Sequence, residues 1–295
     1  MLQKNQKILI ILCLFATYFI WGSTYFAIKI GIESFPPFLM AGMRFTIAGL
    51  ILYSVMRYLG SPNPTLSQWR SAIVIGILLP AMGNGIVCYV QQSVSSSIAA
   101  LSIATAPIWM AIFSAFWGHY PSKQECLGIA IGFTGILLLN LGGSLHGNFT
   151  SAFLLMFAAA CWSFGSVWSK HLPMPKGLIA SASQMLCGGV VLLLFSATQH
   201  ETWPAHISTK SWLAMLFLVL LGSIVAYSAY QYLLKNVRPL VATSNTFINP
   251  LVAFALGIGL VNEHVSHIEF IALAVILAGV FLVLSYNEQS VEKSV

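Results

Sequence analysis

The chain alternates between long runs of apolar residues and short polar connections. A helix needs about 20 apolar residues to cross the roughly 30 Å hydrocarbon core of a bilayer, and ten runs are close to that length. The predicted spans are residues 8–30, 37–56, 69–90, 95–116, 126–141, 152–169, 177–198, 212–234, 241–260 and 269–286. Because the runs are unbroken rather than alternately apolar and polar, the pattern predicts helices and not barrel strands.

The first apolar run stays in the mature protein on this interpretation. It is longer than the hydrophobic region of a cleaved signal peptide and carries no small-residue cleavage site. The connections between runs are too short to fold as soluble domains, so the chain is expected to form a single transmembrane unit.

Landmark residues recur about 140 positions apart. Trp21 and Trp162 are separated by 141 positions, and Pro107 and Pro250 by 143. The recurrence predicts two halves, residues 1–145 and 146–295, with five helices each. Because five is odd, the second half enters the membrane from the opposite side. The predicted fold class is therefore an all-α integral membrane protein, with ten transmembrane helices as two inverted five-helix repeats.

Two further pairs follow the same spacing. Lys29 and Lys170 each come eight residues after a landmark tryptophan, and Arg44 and Gln184 each come five residues before a glycine. In an inverted repeat, Lys29 falls at an outer helix end and Lys170 at an inner one, as a two-fold axis in the membrane plane requires.

Composition and charge support the membrane class and set an orientation. The chain is 58% hydrophobic and 7% charged, whereas soluble domains are roughly 25% charged. With a cytoplasmic N-terminus, ten Lys and Arg residues fall on inner segments, against Lys210 alone in the outer loops. The positive-inside rule then predicts that both termini are cytoplasmic. The net charge of +6 is spread over these loops, so the lipid bilayer is an expected partner and nucleic acid is not.

The distribution of acids and histidines argues against an enzyme, a cofactor and a metal site. The chain has no aspartate, and its seven glutamates and seven histidines fall in loops, tails or near helix ends. Intramembrane proteolysis needs paired aspartates, a zinc motif or a serine with a histidine inside the membrane. One outer loop gathers acids and histidines at Glu263, His264, His267 and Glu269, and we interpret it as a solvated helix connection.

Uncharged polar and aromatic residues near the predicted midplane are the candidates for substrate binding. They are Trp21, Thr24, Asn84, Thr105, Trp162, Tyr227, Tyr230, Asn245 and Asn249. A buried amide without a partner costs roughly 1–3 kcal/mol, so such a set favours a cavity for a compact polar solute. For each single residue, hydrogen bonding between helices is the alternative, worth about 0.6 kcal/mol in a membrane.

Arg44 belongs to the candidate set with two interpretations. It lies about two turns into the second predicted span, where an unpaired cation costs a few kcal/mol. It either extends to the outer headgroups or contacts an anionic group of the solute at the outer mouth of the pathway, for which its planar fork is suited.

Prolines interrupt three of the predicted spans. Pro107 and Pro250 each remove a backbone donor and free a carbonyl one turn earlier, so we expect matched kinks beside a polar cavity. Pro80, with glycines around it, is expected to flex the third helix, although helix packing accounts for those glycines equally well.

Several motifs together resemble the EamA family of the drug/metabolite transporter superfamily over essentially the whole chain. They are Trp21-Gly22-Ser23-Thr24, Ala41-Gly42-Met43-Arg44-Phe45, Ala106-Pro107, Asn249-Pro250 and Asn262-Glu263-His264, followed by a last helix with Gly279. One position departs from the pattern: the family's glutamate at the end of the fourth helix is Tyr120 here, while its second-half counterpart, Glu263, is present. The resemblance implies a ten-helix carrier in a bacterial inner membrane that exports amino acids, related metabolites or toxic compounds.

The expected function is therefore a secondary transporter that binds a small amphipathic metabolite centrally and exports it by alternating access. Without a buried acid, uniport and proton exchange are equally compatible with the sequence. A carrier of lipid-like or toxic compounds and a non-transporting sensor or assembly partner are the alternatives. The small-residue face Gly128-Ile-Ala-Ile-Gly132 packs either internally or between subunits, which leaves monomer and homodimer open.

Overall fold

The regular secondary structure is helical throughout the residues that the structure describes, which are 4–141, 149–261 and 267–285 of a computed structural model. The helices of the first half are α1 (Lys4–Gly31), α2 (Pro37–Tyr58), α3 (Leu66–Val90), α4 (Ser96–Ile103), α5 (Ala106–Ala115) and α6 (Lys123–Leu141). Those of the second half are α7 (Phe149–Trp168), α8 (Leu178–Thr198), α9 (Thr209–Asn236), α10 (Pro239–Ala242), α11 (Asn245–Val261) and α12 (His267–Ser285).

Six of the described helices are long and apolar enough to cross a membrane, namely α1, α2, α3, α7, α8 and α9. Their lipid-facing sides carry exposed leucine, isoleucine, valine and phenylalanine residues, which water would not favour but hydrocarbon does. The chain is thus a multi-pass membrane protein.

Two of the predicted spans are each broken into two helices. Residues 95–116 were expected as one kinked helix, but α4 ends at Ile103 and α5 starts at Ala106. Pro107 therefore lies in the first turn of a new helix, where its missing N–H costs nothing. Residues 241–260 are likewise interrupted, between α10 and α11. Here Pro250 lies inside α11 instead of at its start, so the two prolines occupy different places in their helices.

Helices α3 and α9 each contain a central π-helical segment. The segments are Ile77–Gly85 and Leu218–Val225, and they begin 141 positions apart. π turns are rare and occur frequently at functional sites. The first segment includes Pro80 and the second has no proline, so proline alone does not account for this geometry.

Close backbone contact joins α2 to α8. A Cβ atom on Gly49 would lie 2.7 Å from the Leu186 nitrogen, and one on Gly189 would lie 2.5 Å from the Thr46 nitrogen. The two contacts are reciprocal, because each helix presents its glycine to the backbone of the other. Only glycine permits this approach.

A second close contact joins α6 to α12. A Cβ on Gly279 would lie 2.6 Å from both the Gly128 oxygen and the Gly132 nitrogen. The small-residue face of α6 is therefore used in a contact within the chain.

Polar contacts are found at both ends of the helix bundle. We call the end at which α1 begins the near end, and the opposite end the far end. At the near end, the Gln6 amide of α1 donates to Asn236 of α9 at 3.2 Å, and Arg238 forms an ion pair with Glu125. At the far end, the Glu201 carboxylate accepts hydrogen bonds from the Phe38 and Leu39 nitrogens at 3.2 and 2.7 Å. An acid beside these free N–H groups also complements the dipole of α2.

Candidate functional site

A small central cavity of about 60 Å³ lies among helices of both halves. Its described lining residues are Trp21, Thr24, Tyr25, Ile28, Arg44, Gly83, Asn84, Val87, Ile103, Ala158, Trp162, Asn245, Thr246 and Asn249. One water needs about 10–15 Å³ of such space, so the cavity accommodates a few waters. Helices must separate to admit a metabolite.

Arg44 is held at the cavity by residues of the two π segments. Its Nε donates to Ser223 Oγ at 2.8 Å, and its Nη1 donates to Asn84 Oδ1 at 3.2 Å. The guanidinium carbon lies 4.7 Å from the centre of the Phe45 ring. These contacts fix the cation without neutralising it, since both oxygen partners are uncharged.

The burial of Arg44 rules out one of its two interpretations. The side chain is 1% exposed, so it does not extend to the headgroups. It lines the central cavity instead of an outer mouth. Within the described residues, Arg238–Glu125 is the one salt bridge, so no described carboxylate pairs with Arg44.

An aromatic group forms one wall of the cavity. The Trp21 ring lies 5.4 Å from Trp162, edge to face, and 5.0 Å from Tyr230. The Trp21 Nε1 donates to the Gly222 carbonyl at 2.9 Å, so a backbone oxygen of the second π segment satisfies the indole. Aromatic pairs of this kind are worth about 0.5–1.5 kcal/mol beyond burial, so they stabilise this wall of the cavity.

Two asparagines of α11 present acceptors to the cavity. Asn245 and Asn249 are each 2% exposed, and the Oδ1 atom of each has no hydrogen-bond partner among the described residues. Buried acceptors without partners are rare in folded proteins, and here both line a space that water or a solute can enter.

Most of the predicted substrate-binding residues line the cavity. These are Trp21, Thr24, Arg44, Asn84, Trp162, Asn245 and Asn249. Three candidates lie outside the lining set, each with a bond to a neighbour. The Tyr227 hydroxyl donates to Gln184 at 2.6 Å, the Tyr230 hydroxyl is 2.8 Å from Ser166 Oγ, and Thr105 Oγ1 donates to the Ser102 carbonyl at 2.9 Å.

Sequence reasoning missed Ser223, which accepts a hydrogen bond from Arg44, and Tyr25, which lines the cavity. Tyr25 lies one helical turn after Trp21, so the face of α1 contained the signal. Gly222-Ser223 lies 139 positions after Gly83-Asn84, and this recurrence of a glycine followed by a polar residue was also available. What the sequence lacked was any sign that both pairs meet one arginine.

A second, larger opening lies at the near end, which we call the vestibule. Its volume is about 350 Å³, and its lining includes Lys170, Lys176, Lys235, Gln184 and Gln231. Partial burial beside this opening lowers the pKa of the Lys170 ammonium. Tyr227 lies between the two spaces, because its hydroxyl binds Gln184 while its ring contacts Trp162 with centroids 6.1 Å apart.

Acidic groups do not line either space within the described ranges, and no cluster of three or more metal-binding side chains occurs there. Of the acidic loop singled out from the sequence, Glu263 and His264 lie outside the described residues.

The chain is similar to known membrane transporters over nearly its full length. The EamA-like transporter family matches residues 8–141 and 149–285. The chain is 46% identical over 271 residues to the "Uncharacterized inner membrane transporter YedA" of Escherichia coli K12, covering 92% of this chain and 89% of the relative. It is 22% identical to a "Probable amino-acid metabolite efflux pump" of the same organism, covering 89% and 90%.

A solved crystal structure has the same fold. It superimposes with a TM-score of 0.72, covering 92% of this chain and 96% of the other, at 21% sequence identity. At this identity the similarity concerns the arrangement of helices alone.

Proposed function

Because the chain belongs to the EamA-like transporter family, and is an inner membrane transporter and not an enzyme, we propose that it exports a small zwitterionic metabolite, such as an amino acid, by alternating access. The central cavity is the proposed binding site. Arg44, Asn245 and Asn249 are its proposed polar contacts, and Trp21 and Trp162 its aromatic wall.

The observation that carries this proposal is the burial of Arg44 without an acid. A charge removed from water costs several kcal/mol unless it is paired. Ser223 and Asn84 reduce that cost, but the net charge remains facing the cavity. A solute carboxylate would complete the pairing through two parallel N–H···O bonds, the geometry for which a guanidinium is suited.

The asparagine acceptors favour a zwitterion over a simple anion. An ammonium group has three donors and no acceptor, and the free Oδ1 atoms of Asn245 and Asn249 match it. The faces of Trp21 and Trp162 add attraction for a cation. A cavity with a donor cation, neutral acceptors and aromatic faces is suited to the two charges of an amino acid.

The ten-span inverted repeat remains part of the proposal and has independent support. The family matches the chain twice, at residues 8–141 and 149–285. The two π segments begin 141 positions apart. An inverted repeat also predicts that the second helix of one half meets its own counterpart, and α2 packs against α8 in this way, as α6 does against α12.

Export is the proposed direction, on the strength of the relative named as an efflux pump. The proposed orientation places the near end in the cytoplasm, following the excess of basic residues on that side. Since acids are absent from the described lining of the cavity, uniport down the solute gradient is as compatible with this site as proton exchange.

Counterflow in proteoliposomes tests the function. Purified protein is loaded with unlabelled amino acids one at a time, and uptake of the labelled compound is followed with and without a pH gradient. We expect exchange of at least one amino acid by the wild type, and a loss of at least about tenfold in Arg44→Gln, because truncating one partner of a buried charge pair costs about 2–5 kcal/mol.

The matched control is Arg57→Gln, which removes an exposed arginine from the opposite end of α2 and should leave exchange unchanged. Exchange of carboxylates lacking an amino group at equal rates would refute the zwitterion assignment. Absence of flux for every amino acid would favour lipid-like or toxic compounds, or a sensor.

A further inference from the structure

Lys29 forms hydrogen bonds that join two helices at the far end of the bundle. Its Nζ, at the end of α1, donates to the carbonyls of Gln91 and Val94 at 2.6 and 3.1 Å. Both carbonyls belong to the turns that follow α3, where helix-end oxygens lack partners further along the chain. An ammonium at such an end also complements the helix dipole. The contact therefore holds α1 against the end of α3.

Two of the three counterparts in the second half, Lys170 and Leu234, line the vestibule, and the third, Val237, follows the end of α9. Lys170 lies 141 positions after Lys29, and Leu234 and Val237 lie 143 positions after Gln91 and Val94, the same spacing as Pro107 and Pro250.

In the near-end vestibule Lys170 does not make the corresponding contact. Lys170 and Leu234 line the space of about 350 Å³, and the Lys170 ammonium makes no hydrogen bond to another described residue. The lysine–carbonyl contact is thus formed at the far end, whereas its counterpart at the near end is not formed among the described residues.

We propose that Lys29 and Lys170 are alternating latches of the transport cycle. In the form described here Lys29 closes the far end. In the opposite form Lys170 donates to the carbonyls of Leu234 and Val237 and closes the vestibule, and Lys29 is released. The inference rests on the proposed alternating-access function and assigns to it two residues that do not contact the solute.

The two latches compete because the halves move as one bundle. Closing the near end brings the end of α7 towards the end of α9, which is the movement that separates α1 from α3 in an inverted repeat. Each latch stabilises one end state only, so removing it shifts the equilibrium towards the other. A hydrogen bond from a charged donor is enough to change such a ratio about tenfold.

Cysteine accessibility in intact membranes measures the two end states without knowledge of the solute. Two reporters are placed in a full-length background whose five cysteines are replaced by alanine. Val87→Cys lines the central cavity and Ala180→Cys lines the vestibule. An impermeant thiol reagent is added from the outside for the first and from the inside for the second.

The two lysine substitutions should change the labelling rates of the reporter cysteines in opposite directions. Lys29→Ala should raise the labelling rate of Val87→Cys from outside about tenfold and lower that of Ala180→Cys from inside. Lys170→Ala should lower the labelling of Val87→Cys, and the double variant should return close to the starting rates. Lys176→Ala, which removes another vestibule lysine, is the matched control and should change neither rate.

Equal effects of Lys29→Ala and Lys176→Ala, or movement of both reporters in the same direction by Lys29→Ala and Lys170→Ala, would overturn the latch assignment. The proposed function is judged separately by counterflow. Counterflow without reciprocal labelling would refute the latches alone, and reciprocal labelling without counterflow of amino acids would refute the solute assignment while keeping the latches.

Discussion

At the scale of single residues, the central feature is a cation held among neutral groups. Arg44 is 1% exposed and is bonded to one hydroxyl and one amide oxygen. These partners orient the guanidinium, while its charge remains available to the cavity. The Oδ1 atoms of Asn245 and Asn249, which line the same cavity, are buried and have no hydrogen-bond partner within the described part of the chain. These unpaired polar groups lower the stability of the fold, and pairing with a bound solute would offset that cost.

Asn249→Leu tests the acceptor side of this site. The substitution removes a buried Oδ1 that has no partner among the described residues, so we expect thermal stability within about 1 kcal/mol of wild type and loss of counterflow. Exchange and thermal unfolding are measured on the same preparation. Asn63→Leu, at an exposed loop position, is the control, and wild-type exchange by Asn249→Leu would remove this residue from the site.

At the scale of elements, glycines and π turns position the polar residues. The α2–α8 contact brings Gly49 and Gly189 against opposing backbones, which places Arg44 on α2 at the centre of the bundle. The π segments of α3 and α9 then aim Asn84 and Ser223 at the guanidinium. One segment contains a proline and the other does not, so packing between the halves contributes to the widened turns.

Gly189→Ala should weaken the α2–α8 contact. The added Cβ would lie 2.5 Å from the Thr46 backbone nitrogen, and a backbone atom cannot move aside as a flexible side chain can. We expect destabilisation of about 1–3 kcal/mol, typical of overpacking, measured as a lower midpoint of thermal unfolding in detergent. Val190→Ala, at a neighbouring position that is 46% exposed, should unfold near the wild-type midpoint.

At the scale of the whole molecule, charged contacts are found at both ends of the bundle. Glu201 and Lys29 act at the far end, and the Arg238–Glu125 pair acts at the near end beside the open vestibule. The Glu201 and Arg238–Glu125 contacts join the two halves, whereas the Lys29 contact joins α1 to the end of α3 within the first half.

Glu125→Gln should destabilise the near end. The Glu125 side chain is 0% exposed and that of Arg238 is 27% exposed. The free energy of unfolding should therefore decrease by less than the roughly 3–5 kcal/mol that breaking a fully buried pair costs. Thermal unfolding of the variant measures it, with Lys123→Gln as the exposed control. An unchanged midpoint would show that the pair contributes little.

The membrane orientation is also a whole-molecule prediction. Lys176→Cys should react with an impermeant reagent only from the cytoplasmic side, and Lys210→Cys only from outside, in the same cysteine-free chain. Reversal of the two would invert the proposed topology and, with it, the assignment of the vestibule to the cytoplasm.

Much of the site was predictable because polar residues are conspicuous in apolar runs. Seven of the ten predicted binding residues line the cavity. The exceptions are informative. Tyr227, Tyr230 and Thr105 are equally polar and equally central, but each hydroxyl bonds to a neighbour outside the lining set. Sequence cannot distinguish a hydroxyl bonded to a neighbouring helix from one that faces a void.

The sequence by itself determined the membrane class, the helical character and the family, because span length, hydrophobicity and repeated motifs are properties of local segments. Only the tertiary structure decided that Arg44 is buried, which hydroxyls face the cavity and where the helices break. It alone also decided at which end of the bundle a lysine forms these hydrogen bonds. Since the two halves share one pattern, the sequence allows Lys29 and Lys170 the same contacts, and the packing of the halves selects one.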